Sequence, residues 1–362
     1  MALRAVILKI HLYLGLLGAI FLAILGVTGS ILAFEGDINH WLNPQLWYVT
    51  PYEHPLPEED LIGSVEGRFP RVPVVIIQFF RAKNLVQLMH LNDGTTVYVN
   101  PYNGDIRGAT RGSTRSDVVL GYIHQLHLRL VPDPRSAPRL AAIGKTVVSF
   151  AGLILCLMVP TGLILWWRRK RTSIHWSASW FKVFFDAHQA IGIYAALFLL
   201  IASTTGIMIG FDFGEETYYR ITHSARPSRP QSLPSTLVAG AMPITADQAI
   251  GIARGAMPNA TVAMLIRPLR AAGSYTVMMR VPEETSEAVH SSVTIDQYSG
   301  KVLNVRNYLT DSAGYRLIRF NRSIHTGDVL GLPTHILVSI SSLLLVVMVI
   351  TGVVVWWKKL AV

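Results

Sequence analysis

HLYLGLLGAIFLAILGVTGSILAFE (residues 11–35) is an almost unbroken apolar run that opens on a histidine. A second run, HQAIGIYAALFLLIASTTGIMIGFD (residues 188–212), repeats its plan. His11, Gly15, Thr28, Gly29 and Glu35 match His188, Gly192, Thr205, Gly206 and Asp212, every pair 177 positions apart. Two more matches extend the pattern. TGLILWW (161–167) returns as TGVVVWW (351–357), offset by 190, and VYVNPYNGDI (97–106) as VTIDQYSGKV (293–302), offset by 196. Order and chemistry persist while the offset drifts, so the sequence reads as an internal duplication with small loop insertions.

The chain has 362 residues, of which 51% are hydrophobic and only 15% charged. An ordinary soluble domain carries about a quarter charged residues. Four segments supply the roughly 20 apolar residues a bilayer crossing needs: 1–35 (apolar at 5–34), 140–167, 188–211 and 334–357. The first is too long for a secretory signal and lacks a small-x-small cleavage site. The net charge of +10 is not spread as in a nucleic-acid-binding protein. Arg4 and Lys9 precede or open the first segment, Arg168-Arg169-Lys170-Arg171 follow the second and Lys358-Lys359 the fourth. By the positive-inside rule the termini, the loop 168–187 and the tail 358–362 are cytoplasmic. Residues 36–139 and 212–333 then face outward. Cys156 is the single cysteine, so neither an intramolecular disulfide nor a thiol pair for metal is available.

The expected fold is an integral membrane protein, mainly α. Its four transmembrane helices form a parallel repeat (helix, outward domain, helix, twice) with two small outward α+β domains. A parallel repeat has a pseudo-two-fold axis along the membrane normal. In the second domain Thr245 is the expected N-cap of a helix in ITADQAIGIARGAM, followed by strands near 260–268, 274–281, 290–296 and 301–305. DQYSGK reads as a hairpin turn with Gly300 at positive φ. The first domain repeats this with PEEDLIGSVEGRF, strands near 73–80, 85–91 and 95–100, and NPYNGD as the turn. Neither domain contains a phosphate loop, an HExxH or a GxSxG pattern.

The twelve histidines carry the chemistry. One histidine near a helix end ordinarily anchors it in the interface. Two at equivalent repeat positions are different, because polar side chains within membrane segments mark functional sites. The pseudo-two-fold axis brings His11 and His188 to the same depth, where opposed neutral imidazoles suit the two axial positions of a b-type haem. Gly15 and Gly192, one turn on, leave room for a macrocycle edge. A second pair precedes segments two and four: His127 in GYIHQLHLRLV and His325 in FNRSIHTGDVLG, candidates for a second haem. His124 is an alternative to His127. His335, which aligns with Lys145, is an alternative to His325, a propionate donor or a substrate contact. His40, His54, His90, His175, His223 and His290 read as surface residues. Trp166-Trp167 and Trp356-Trp357 read as interfacial anchors, and the recurrent Thr-Gly pairs as close helix packing.

HLYLG, TGSILAFE, INHWLNP, LHLRL, TGLILWW, HQAIG, TTGIMIGFD, IHTG and TGVVVWW together resemble the PepSY-associated transmembrane family over nearly the whole chain. The resemblance extends to siderophore (ferrioxamine) reductases of the FoxB type in the bacterial inner membrane. It implies PepSY-type periplasmic domains, two haems b held by His11, His127, His188 and His325, and a ferric siderophore as substrate.

Three functions follow as expectations. The first is a haem-dependent oxidoreductase that takes electrons from a cytoplasmic or membrane donor and reduces ferric siderophore iron in the periplasm. Arg316, Arg319 and Arg322 near His325 would attract a charged chelate or haem propionates, or are ordinary surface charge. The second is a non-redox, membrane-anchored binding or regulatory protein acting on peptidases, which leaves the paired histidines without a role. The third is an iron or siderophore permease, for which four helices with few intramembrane polar groups make a poor pathway.

Overall fold

The computed structural model describes residues 2–111, 114–131, 133–168, 170–226, 233–238, 240–284 and 291–360. His290 and Arg169 lie outside them. In chain order the first half holds α1 (Ala2–Leu32), α2 (Glu35–Leu42), α3 (Pro44–Trp47) and α4 (Glu58–Arg68). Strands β1 (Val74–Gln78), β2 (Gln87–Leu91), β3 (Thr95–Val99) and β4 (Ile106–Arg111) follow, then α5 (Arg115–Arg129) and α6 (Pro138–Trp167). The second half holds α7 (Trp180–Gly210), α8 (Phe213–Ile221), α9 (Ala246–Ala256), β5 (Thr261–Ile266), β6 (Ser274–Arg280), β7 (Ser291–Asp296), β8 (Val302–Arg306), α10 (Ala313–Thr326) and α11 (Leu332–Leu360).

These elements fall into two compact units. The helical unit comprises Met1–Glu35, Val118–Ser224 and Leu317–Val362. Helices α1, α6, α7 and α11 are each long and apolar enough to cross a membrane. They pack in a ring in which α6 and α11 each touch both α1 and α7, which puts α1 and α7 at opposite corners. Leu22, Ala151, Leu155, Val159, Ala195, Leu199 and Leu345 fill the centre. Outward-facing residues such as Leu17 (66% exposed), Ile143 (60%) and Leu197 (62%) are what a bilayer covers. The chain is a multi-pass membrane protein.

Helix α7 begins at Trp180, two turns before the expected start at His188. The hydropathy pattern is broken there by Lys182 and Asp186. Asp186 is nonetheless fully buried, because Arg171 Nη1 donates to it at 2.7 Å and His175 Nδ1 lies 3.0 Å away. The paired charge lets the helix run on through an apolar layer. His188 therefore sits two turns inside the helix.

The second unit comprises Gly36–Asp117 and Ala225–Arg316. Two separate α+β domains are expected from the sequence, but all eight strands join one antiparallel sheet in the order β4-β3-β2-β1-β5-β6-β7-β8. The joint is β1 against β5, with Ile77 opposite Leu265. Each half alone would leave an apolar edge strand open, and pairing the two edges satisfies both. Strand β4 was not expected, since its burial alternates only weakly between partly covered and exposed. The domain limits change too: residues 118–139 and 317–333, with His124, His127 and His325, belong to the helical unit.

Helices α4 and α9 pack on the sheet through Leu61, Ile62, Val65, Ala246, Ala249, Ile250 and Ala253. Thr245 is the N-cap of α9: its hydroxyl accepts from Gln248 N, and Gln248 Oε1 accepts from Thr245 N. Helix α4 has no side-chain cap of its own. Asp247 supplies one, accepting from the backbone N–H groups of Glu58 and Glu59 at 3.0 Å each, while Glu59 accepts from Ala246 N. Each helix thus provides a carboxylate for the other's positive end. The expected turns form, with Gly104 at φ 78° and Gly300 at φ 69°, where a side chain is disfavoured.

Candidate functional site

An imidazole inside a membrane bundle carries one N–H and one lone pair, and both need partners. His11, on α1, meets the Thr161 hydroxyl of α6 through Nδ1 at 3.0 Å. His188, on α7, meets Thr351 of α11 through Nδ1 at 3.0 Å, with the Met348 carbonyl oxygen at 3.1 Å. His127, on α5, meets Thr28 of α1 at 2.9 Å. His325, on α10, meets Thr205 of α7 at 2.9 Å. The four rings are therefore seated alike, each on a threonine of a neighbouring helix.

The residue after each threonine is glycine, and the Cε1–Nδ1 edge of the ring lies against it. A Cβ added at Gly29, Gly162 or Gly352 would stand 3.2 Å from Cε1 of His127, His11 or His188, and one at Gly206 would stand 3.1 Å from Cε1 of His325. Any larger side chain would push the ring away. Thr-Gly is a two-residue seat: the hydroxyl takes Nδ1 and the missing side chain admits the ring.

The seated rings meet in pairs. His11 and His188 have ring centres 6.4 Å apart with planes at 83°. His127 and His325 are also 6.4 Å apart, with planes at 53°. Two imidazoles on one metal, with bonds of about 2 Å and ~1 Å more from each nitrogen to its ring centre, span about 6 Å. With Nδ1 engaged in all four, Nε2 is the nitrogen left for a ligand. The pairs lie toward opposite ends of the bundle, since His11 and Thr28 share one helix 17 residues apart, about 25 Å at 1.5 Å per residue.

Two imidazoles do not complete the shell of a bare transition ion, which takes four or more ligands. Among the described residues no group of three or more His, Cys, Asp or Glu side chains is placed to hold one. Each pair instead suits a metal whose other positions are filled by a planar macrocycle. Outside the membrane spans, burial, then His325 and His124, push His127 down to about 3. Burial first, with Arg322 adding to it, also lowers His325, against the opposing pull of the Ala202 backbone carbonyl. Both shifts favour the neutral imidazole, the form that binds a metal.

The other candidates sit elsewhere. His124 Nδ1 pairs with Glu35 at 3.0 Å, both about a third exposed, and His335 Nε2 pairs with Asp328 at 3.0 Å beside Phe34. Neither is brought against a facing histidine. Gly15 and Gly192 face not an open slot but a methionine each, Met158 and Met348, whose methyl carbons would lie 3.1 Å from an added Cβ. These glycines admit a neighbouring side chain where α1 meets α6 and α7 meets α11. Arg316, Arg319 and Arg322 share α10 with His325, and Arg322 is exposed. Cys156 is half-buried in α6. His40 packs at a tilt against Trp47, and His90 bonds Thr96. These two are partly buried, whereas His175, though it pairs with Asp186, is exposed as expected.

The threonine–glycine seats are the part of the site that the sequence reading assigns only to helix packing. Their signal is numerical: four Thr-Gly pairs, one per span, for four paired histidines.

No curated protein matches the chain. A family model described as "PepSY-associated TM region" matches residues 8–359, which is nearly the whole sequence and includes all four seats and both histidine pairs. The chain belongs to the family of the PepSY-associated TM region.

Proposed function

We propose that the chain is a di-haem b electron-transfer protein of the bacterial inner membrane that reduces ferric siderophore iron in the periplasm and releases it as Fe(II). One observation carries the reading: two histidine pairs, each with ring centres 6.4 Å apart and each ring seated through Nδ1. His11 and His188 would hold one haem, His127 and His325 the other. When bound, haem supplies an iron that cycles between ferric and ferrous and so carries one electron at a time.

The chain's own residues do the rest. The threonine–glycine seats orient the ligands, and the apolar core between the pairs excludes water. Arg168, Lys170, Arg171 and Lys358 cluster at the ends of α6 and α11, which supports a cytoplasmic position for that end. The His11 and His188 pair then lies near the donor, and the other pair near the periplasm. The matched seats support the duplication read from the sequence. One electron converts Fe(III) to Fe(II), and the hard oxygen ligands of a siderophore hold the softer ferrous ion less well. No general acid, base or nucleophile is needed.

The test is a visible spectrum of the full chain purified after expression with ample haem. Low-spin b-type bands with two haems per chain are expected. Dithionite-reduced protein mixed with a ferric hydroxamate should reoxidise and yield Fe(II) to a ferrous chelator. A colourless protein would sink the reading. A coloured protein that is not reoxidised would leave electron transfer but remove the siderophore.

A further inference from the structure

A neutral imidazole has two tautomers, and the partner of one nitrogen decides which of them presents a lone pair at the other. A threonine hydroxyl has a single proton. In all four seats it is already committed: Thr28 Oγ1 donates to Ile24 O at 2.7 Å, Thr161 to Met158 O at 2.9 Å, Thr205 to Ile201 O at 2.6 Å and Thr351 to Val347 O at 2.8 Å. Toward the histidine, then, each hydroxyl can only accept. An independent contact agrees, for the Met348 carbonyl 3.1 Å from His188 Nδ1 has no proton to give.

We infer that Thr28, Thr161, Thr205 and Thr351 are positioning residues that lock the four histidines as Nδ1–H tautomers and so present Nε2 to the metal. The inference rests on the haem reading for its functional meaning, but the tautomer is a property of the chain. The seats are graded. Nδ1 of His11, His127 and His325 meets a threonine hydroxyl, while that of His188 has both a threonine and the Met348 carbonyl within 3.1 Å. Replacing threonine by valine keeps the shape and removes the acceptor, so the effect should be smaller at Thr351, where the Met348 carbonyl remains, than at Thr28, Thr161 or Thr205. Loss of such an outer partner typically costs 10–100-fold in metal affinity. A donated Nδ1–H also enriches the ligand, so removing its acceptor favours ferrous iron.

The experiment compares Thr28→Val, Thr28→Ser and Thr351→Val with the wild type, all as full chains. Haem per chain and midpoint potentials are read by redox titration, and 15N-histidine NMR reports the tautomer with or without haem. Thr28→Val should lose haem at one centre or raise its potential, where a tenfold bias between oxidation states is about 59 mV. The other centre should be unmoved, Thr28→Ser should stay at wild-type values, and Thr351→Val should change least. Two haems at unchanged potentials in Thr28→Val would overturn the inference. A colourless wild type would overturn the haem reading instead, and NMR would still decide the tautomer: Nε2–H signals for these histidines refute the seat.

Discussion

Ile77 and Leu265 stand opposite each other at the joint of the eight-stranded sheet, and neither is exposed to solvent. Their contact is the centre of a core to which both halves contribute. Leu265→Ala leaves a cavity there and should cost about 2–5 kcal/mol. Because the sheet is continuous, protection in β3 and β7 should fall together in amide hydrogen exchange. A loss confined to β5–β8 would show that the two halves open independently.

Glu58 is buried with one carboxyl oxygen held by Gln87 at 3.1 Å, while its Oε2 and Gln87 Oε1 are buried without partners. Burial is the main cause that raises its carboxyl to about 7; Gln87 opposes it and Asp247 adds to it. A carboxyl raised above its unfolded value of about 4.3 contributes stability at low pH that is lost as pH rises through the folded value. The second unit should weaken between about pH 4 and 7, by on the order of 4 kcal/mol at most. Glu58→Gln should flatten that slope and be the more stable form at pH 8. Equal melting temperatures of wild type and variant at pH 8 would contradict this.

At Gly206 the space for a side chain is closed by His325, with Cε1 only 3.1 Å from an added Cβ. Alanine requires the ring to give by a few tenths of an ångström, and valine requires it to leave. Gly206→Val should reduce haem from two to one per chain and cost about 1–3 kcal/mol of thermal stability in detergent. Gly206→Ala should keep both haems with a shifted potential at one. Full occupancy with unchanged potentials in the valine variant would show that the ring is not held there.

Asp186 holds the segment between α6 and α7 through Arg171 and His175, with Trp166 Nε1 donating to Arg171 O at 2.7 Å. Asp186→Ala strands the guanidinium and should cost about 1–3 kcal/mol. Trypsin should then cut at Arg171 roughly tenfold faster, as the local opening free energy falls. An unchanged cleavage rate would mean that Trp166 alone fastens the segment.

The spans and the turns at Gly104 and Gly300 are legible in the sequence because hydropathy and backbone conformation are local properties. The strands of each half are legible for the same reason, except β4, whose faces are too evenly exposed to leave a pattern. The β1–β5 joint is not legible: it links residues some 190 positions apart, and each strand alone reads as an ordinary edge. Lys182 and Asp186 hide the first turns of α7, since only the fold reveals that Asp186 is paired. At the site, equivalent positions single out His11 with His188 and His127 with His325, and the structure brings both pairs together. The threonine of each seat lies 99 to 163 positions from its histidine, so nothing in the local sequence announces it.

The four seats also restrict what the bundle can do mechanically. Helix α1 is bolted to α6 near one end by His11 and Thr161, and to α5 near the other by Thr28 and His127. Helix α7 is bolted to α11 and α10 in the same way. Any sliding or rocking of one helix past the next would break a bolt and turn a ring out of line. A carrier that ferries solute must make such strokes, whereas an electron crosses between fixed points. The four contacts tie the helices into one frame, which suits the electron-transfer role proposed above.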